Sequence, residues 1–316
     1  MKKLIKRILL FLIPFLLIGF LLDVFVSKRM RMIYFPSGEH EVWNDIYSHK
    51  ITEPCLIYGS SRAKTHLNPM MIENSTNVAA YNFGMDGQSF DTQYLRHKIN
   101  IKENGYPKCI IYCLDLFSLD KTKDVHNKQQ YLPYMLWNVD IMKTLSGYED
   151  FHPSDHLIPS VRYFGHYDSF KRAMTESFES GTYVERTKGF VAIQADWQPE
   201  EIMKIPKKHY QKINASTYAL YEEFIQECQD NNVSLAMVYA PEFENRRETV
   251  INRDSVMSLY QQLSEKYDVP FLDYTADSMS LDVKYYADAL HFNQKGSVIF
   301  TQKVIKDLSE IGFFSK

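Results

Sequence analysis

Five short apolar runs, each closed by turn residues and most of them separated by a helix-like stretch, constrain this chain more than any other feature. They are "CLIYG" from Cys55, "NVAAYNFGMDG" from Asn77, "KCIIYCLDL" from Lys108, "VSLAMVYAPE" from Val233 and "VPFLDY" from Val269. Continuous apolar runs of this length read as strands buried on both faces, because a half-exposed strand would alternate. Between them "SFDTQYLRHKINIKENG", "STYALYEEFIQECQDNN" and "DSVMSLYQQLSEKYD" carry helical spacing, and "HFNQKGSVIFTQKVIKDLSEIG" closes the chain as a helix capped by Asn293. Alternating strands and helices predict βαβ units and a parallel sheet covered on both faces. In open sheets of that kind ligands bind beyond the carboxyl ends of the strands. The Gly59-Ser60-Ser61 turn, the Gly84/Gly87 turn, Asp115 and the loop before His291 all fall at or just after such ends.

The N-terminus sets the expected compartment. Lys2, Lys3, Lys6 and Arg7 precede an apolar run from Ile8 to Leu22 that continues past Asp23 to Val26, close to the roughly 20 residues a membrane span requires. Lys28, Arg29 and Arg31 follow where a cleaved signal peptide would carry small residues, so residues 1–31 read as an uncleaved signal anchor. The basic cluster at the N-terminus is the larger and is expected to stay in the cytoplasm, which places residues 32–316 outside. A single-pass, membrane-tethered extracytoplasmic domain is expected.

At 316 residues the chain is long enough for one large domain or two small ones, since single cores grow to about 250–300 residues before dividing. A net charge of -3, with no Lys/Arg stripe beyond the N-terminus, gives no field that favours nucleic acid, and none is expected as a partner. Cys55, Cys109, Cys113 and Cys228 have no histidine at metal-ligand spacing, and read as small buried hydrophobes; no metal and no cofactor are expected. His66, His152, His156 and His166 also lack such partners and read as surface or structural.

From about 117 to 214 the alternation stops. A structureless loop of that length is improbable in a compact domain, so the stretch is expected to be a mainly helical insertion. It is rich in aromatic residues, among them Tyr131, Tyr134, Trp137, Tyr163, Phe164, His166, Tyr167 and Trp197. These are either core or, because the insertion leaves just after Asp115, the wall of a substrate cleft.

A serine hydroxyl becomes nucleophilic when a histidine takes its proton and an acid orients that histidine. Ser61 follows the first strand, and "YADALHFNQKG" places Asp288 and His291 three residues apart, close enough in a turn to project to one side. Gly59-Ser60-Ser61-Arg62-Ala63 nearly fits the Gly-x-Ser-x-Gly elbow of α/β-hydrolases, but that elbow follows several strands and this serine follows one.

In this order of parts the sequence resembles the SGNH, or GDSL-like, hydrolases over roughly residues 53–116 and 232–310. Gly59-Ser60-Ser61-Arg62 is similar to the family's Gly-Asp-Ser block with Ser for Asp, "NFGMDGQS" to the second block, and "CLDL" falls where the family has Gly-x-Asn-Asp. The resemblance implies a flavodoxin-like three-layer α/β/α fold with a mainly parallel sheet. It implies Ser61 as nucleophile, His291 as base and Asp288 as acid, with the Ser61 and Gly87 amides forming the oxyanion hole. Asp115 stands where the family's asparagine donates a side-chain N–H, and an ionised carboxylate cannot donate; alternatively Asp115 is turned away to bind Arg62 or cap the insertion, with another donor such as Gln88 or Asn82 in its place. The Ser-Ser form, the anchor and "LDLF" are similar to membrane-tethered branches resembling the D-alanine transfer protein of teichoic acid modification and the alginate-acetylation esterase-like proteins.

An esterase or O-acyltransferase acting on an acylated cell-envelope glycan is therefore expected. A non-catalytic partner that holds an envelope polymer, or docks on an integral-membrane acyltransferase, is the alternative from a different class. An α/β-hydrolase-like lipase is a third, and requires several strands before Ser61.

Overall fold

A computed structural model describes residues 2–32, 38–166, 171, 174–175, 186–198 and 207–315. Tyr167 lies outside the described residues. The chain forms two compact units, one of Met1–Asn44 with Lys123–Val184 and one of Asp45–Thr122 with Glu185–Lys316.

The second unit is built on five parallel strands, β1 (Cys55–Gly59), β2 (Ala80–Asn82), β3 (Cys109–Cys113), β4 (Ser234–Tyr239) and β5 (Phe271–Asp273), in the order β2-β1-β3-β4-β5. This is the flavodoxin-like order, and it follows from right-handed crossovers leaving β1 first to one side and then to the other. Among the described residues no strand precedes β1, so the strand count required by the lipase alternative is not met.

Because side chains alternate across a strand, each run feeds two different layers. Cys55, Ile57, Cys109, Ile111, Ala236 and Val238 face a core shared with α3 (Ser61–His66), α4 (Pro69–Thr76) and the last long helix. Tyr58 and Tyr112 face the other way, into aromatic packing with Phe90, Tyr94, Tyr221 and Phe224 from α5 (Phe90–Asn104) and Ala215–Asp230. The four cysteines are free thiols buried in these layers, as expected of small hydrophobes. Two glycines are required for close approach. A Cβ on Gly59, at φ +138, would lie 2.4 Å from the Cys113 carbonyl oxygen, and one on Gly84 would lie 2.3 Å from the Lys64 amide nitrogen.

The other unit contains α1 (Lys2–Met32), the start of α2 (Glu39–Tyr47), α6 (Val139–Leu145), α7 (Pro153–Leu157) and several 3₁₀ turns. The expected helical character of the insertion is present, in pieces too short for a helical period to show. Trp43, Tyr131, Leu132, Met135, Ile141 and Leu145 form its buried interior, with the Trp43 indole donating to Gln130 Oε1 at 3.1 Å. The lower part of α1 takes part in that interior: Val26 and Met30 are fully buried, and Asp23 receives both guanidinium nitrogens of Arg162, at 2.6 and 2.7 Å. The Ser160 amide donates to the same carboxylate at 2.6 Å, the Ser160 hydroxyl to the Gly19 carbonyl at 2.7 Å, and Ser27 Oγ meets Tyr163 Oη at 2.6 Å. The helix is long and apolar enough over Leu10–Met32 to cross a membrane.

Candidate active site

β1 ends at Gly59, whose positive φ turns the chain sharply into α3. Ser60 caps that helix, its hydroxyl accepting from the Arg62 amide at 3.3 Å. Ser61 is the first helical residue, so its own N–H has no intrahelical acceptor. Its side chain points to the C-terminal loop: Ser61 Oγ lies 2.8 Å from His291 Nε2 across 230 residues of sequence.

The loop that delivers His291 is closed on itself. The Ala287 amide donates to the His291 carbonyl at 2.8 Å, and Asp288 Oδ1 accepts from the amides of Leu290 and His291 at 2.8 and 2.9 Å. The same carboxylate meets His291 Nδ1 at 2.8 Å through Oδ2 and 3.0 Å through Oδ1. A carboxylate on Nδ1 favours the tautomer whose Nε2 accepts a proton, which is the form that faces Ser61. Burial pushes the Asp288 carboxyl up, but the hydrogen bond and charge of His291 and the two backbone amides outweigh it and leave it below the ordinary carboxylate value.

Two supports hold this loop. His66, at the end of α3, is fully buried and accepts the Phe292 amide on Nε2 at 3.1 Å, with its ring 4.3 Å from that of Phe292. Burial, with Arg62 and His291 nearby, keeps His66 well below the ordinary imidazole value, so it remains a neutral acceptor. Asn293 caps the last helix, α11 (Gln294–Glu310, with α8 Ala215–Asp230, α9 Glu244–Arg247 and α10 Arg253–Tyr267 before it), by accepting the Gly296 amide at 3.0 Å. The sequence placed Asn293 in that role, which holds, and His66 among surface or structural histidines, of which the structure shows the second.

Asp115 lies at the end of β3 and is engaged from below. Arg62 Nη1 is 3.3 Å from Asp115 Oδ1 and 3.8 Å from Glu242 Oε1, and the Arg62 guanidinium also donates to the Ala240 carbonyl. Arg253 Nη1 pairs with Glu242 Oε2 at 2.7 Å, and the Arg62 and Arg253 guanidinium groups lie 4.7 and 5.0 Å from the Tyr239 ring centre. Burial raises the Asp115 carboxyl above its ordinary value; Arg62 and the Ser60 hydroxyl oppose that rise. Asn82 is committed elsewhere, donating to the Ala63 and Leu67 carbonyls and accepting the Gly84 amide, each at 2.8 Å. It braces the β2 turn against α3. Gly87 sits exposed in that turn at φ +60.

A cleft opens over these strand ends, lined by Ser61, Asp115, Phe117, Gln211, Arg246 and His291 among others. Gly87 and Gln88 do not line it. Trp197, half-buried, packs edge-on against Phe243 at 5.1 Å on the core of this unit, whereas Trp137, in the other unit, stacks on Phe20 of α1 at 5.6 Å. The arrangement of Ser61, His291 and Asp288 can move a proton from the hydroxyl to the imidazole while the carboxylate holds the ring.

No protein-family model matches the chain, and no curated protein matches it. Among solved structures it is similar to an acetyl xylan esterase, with 10% identity and a TM-score of 0.42 over 80% of this chain and 99% of that one. It is likewise similar to a GDSL-like lipase from Bacteroides thetaiotaomicron, with 11% identity and a TM-score of 0.40 over 86% and 98%. Likeness at this level carries no argument about chemistry. The side chains around Ser61 do.

The Arg62–Asp115 pair is the alternative the sequence offered for Asp115, whereas its extension through Glu242 and Arg253 escaped the sequence. Its only linear trace is "YAPE", where a strand ends in a glutamate.

Proposed function

We propose that this protein is a membrane-anchored serine esterase or O-acyltransferase of SGNH type, acting outside the cytoplasm on an acylated cell-envelope glycan. The observation that carries the chemistry is the 2.8 Å contact of Ser61 Oγ with a histidine whose other nitrogen is held at 2.8 Å by Asp288. Ser61 would attack the ester carbonyl, and His291 would take the proton and return it to the leaving alcohol. Asp288 would stabilise the imidazolium, and the Ser61 amide would meet the oxyanion. Water as acceptor gives hydrolysis, and a sugar hydroxyl gives transfer. Arg246 on the cleft wall offers a cationic donor suited to hydroxyl or anionic groups of a polymer.

The anchor is supported by the length and apolarity of α1 and by its role in the fold. Cleavage after the apolar run would remove Asp23 and leave Arg162 buried without its carboxylate. A partner role in an envelope acylation system is the second reading. It is favoured by Asp115, which is held by Arg62 where the resemblance expects a side-chain donor.

Fluorophosphonate labelling of the full chain in detergent tests the enzyme. Labelling is expected for the wild type, absent from Ser61→Ala and strongly reduced in His291→Ala. A folded wild type that takes no label would replace the enzyme with the binding partner.

A further inference from the structure

The unit that holds α1 also carries large apolar side chains that its interior does not use. Trp137 is 59% exposed and Phe164 79%, and Val139, Leu157 and Ile158 are exposed beside them in the sequence. They are tied together and to α1 by named contacts. The Trp137 amide donates to the His156 carbonyl at 2.9 Å and its indole N–H to the Leu157 carbonyl at 3.1 Å, which joins the residue 137–139 turn to the end of α7. The Trp137 ring stacks on Phe20, Ser160 donates to the Gly19 carbonyl, and Tyr163, next to Phe164, meets Ser27. The exposed residues therefore continue the apolar surface of α1 around Gly19 to Ser27, where Leu21, Leu22, Val24 and Phe25 are themselves exposed.

Depth along the helix fixes what meets that surface. The apolar run from Ile8 to Leu22 rises about 21 Å, and with Lys6 and Arg7 snorkelling at its start it takes up most of the roughly 30 Å of hydrocarbon in a bilayer. Gly19 and Phe20 then lie at the far boundary of the hydrocarbon, with Asp23 just beyond it and Lys28, Arg29 and Arg31 further out. The Trp137 ring, stacked on Phe20, falls at the depth where Trp side chains anchor proteins, with an apolar body in lipid and a polar N–H satisfied. The buried Asp23–Arg162 pair holds the 137–164 segment at this level, since separating it would expose a charge of each sign to an apolar boundary.

We infer that Trp137, Val139, Leu157, Ile158 and Phe164 form a foot that sits in the lipid interface beside α1, so that the protein grips the outer leaflet with more than its helix. This rests on α1 being a membrane span. Trp43 is fully buried and Trp197 is half-buried against the core of the other unit, so the component lost in Trp137→Phe is the reporter. The full chain is reconstituted in phosphatidylcholine vesicles brominated close to the headgroup end of the acyl chain, beside Trp137→Phe. Bromine is expected to quench an emission component that the variant lacks, and aqueous iodide is expected to leave that component unquenched. Equal bromine quenching in both proteins, or iodide quenching of the Trp137 component, overturns the foot while leaving the span intact. Release of the full chain from vesicles by alkaline carbonate overturns the span, and the foot with it.

Discussion

Asp115 stands where the resemblance expects an asparagine, and its neighbours account for the carboxylate. Arg62 is 2% exposed directly behind Ser61, and a buried guanidinium needs opposite charge; Asp115 and Glu242 supply it. Burial alone would depress Arg62, yet Tyr239, Asp115 and Glu242 together hold it above its ordinary value, firmly protonated. Asp115→Asn should therefore cost about 3 kcal/mol of stability, seen as a lower urea midpoint, with no gain in ester turnover. A faster, equally stable variant would mean that the carboxylate obstructs the oxyanion instead. Ser61, Asp288 and His291 were legible in the sequence because Ser61 follows a strand end and Asp288 and His291 share a short motif three residues apart. Of the charge network, the Arg62–Asp115 pair was among the alternatives the sequence left open, but Glu242 and Arg253 were not, because only the register of β1, β3 and β4 brings them to that pair.

At the scale of elements, α5 shows how the sheet's second layer is closed. His97 on this helix is 1% exposed, its Nδ1 is 2.9 Å from Tyr58 Oη on β1, and its ring packs edge-on against Phe224 of α8. Burial lowers it to about 4, against a smaller opposing pull from Glu227. The unfolded chain titrates near 6.5, so it binds a proton that the folded chain refuses between these values. Stability is complete above pH 6.5 and falls toward pH 4, by about 1.4 kcal/mol per pH unit from this group within the window. Buried His66 shifts in the same direction and adds to the slope. Urea melts at pH 7, 6 and 5 should show the decline, and His97→Gln should flatten it without abolishing it. The strands were legible from their apolar runs, although β2 uses only three residues of the run that foretold it. The helices between Lys123 and Val184 were not, because a helix of five or seven residues shows barely one or two turns of periodicity.

For the whole molecule, the partition into units departs most from what the sequence displays. A linear reading separates a tether, residues 1–31, from a domain, residues 32–316, whereas the contacts place α1 and the 123–184 segment in one compact body. Nothing in the pattern pairs Asp23 with Arg162 across 139 residues. Breaking a buried pair of this kind costs about 3–5 kcal/mol. Asp23→Ala in the full chain should then lower hydrogen-exchange protection around residues 131–163 by on the order of a hundredfold or more. Unchanged protection would show that α1 is only a tether.

The contact between Ser61 and His291 also orders events in time. Synthesis proceeds from the N-terminus, so Ser61 is made 230 residues before the imidazole that faces its hydroxyl. Until that loop emerges, the serine is an ordinary alcohol, and a nascent or truncated chain carries none of the reactivity proposed for the finished one. Arrival of the His291 loop is itself the step that arms it.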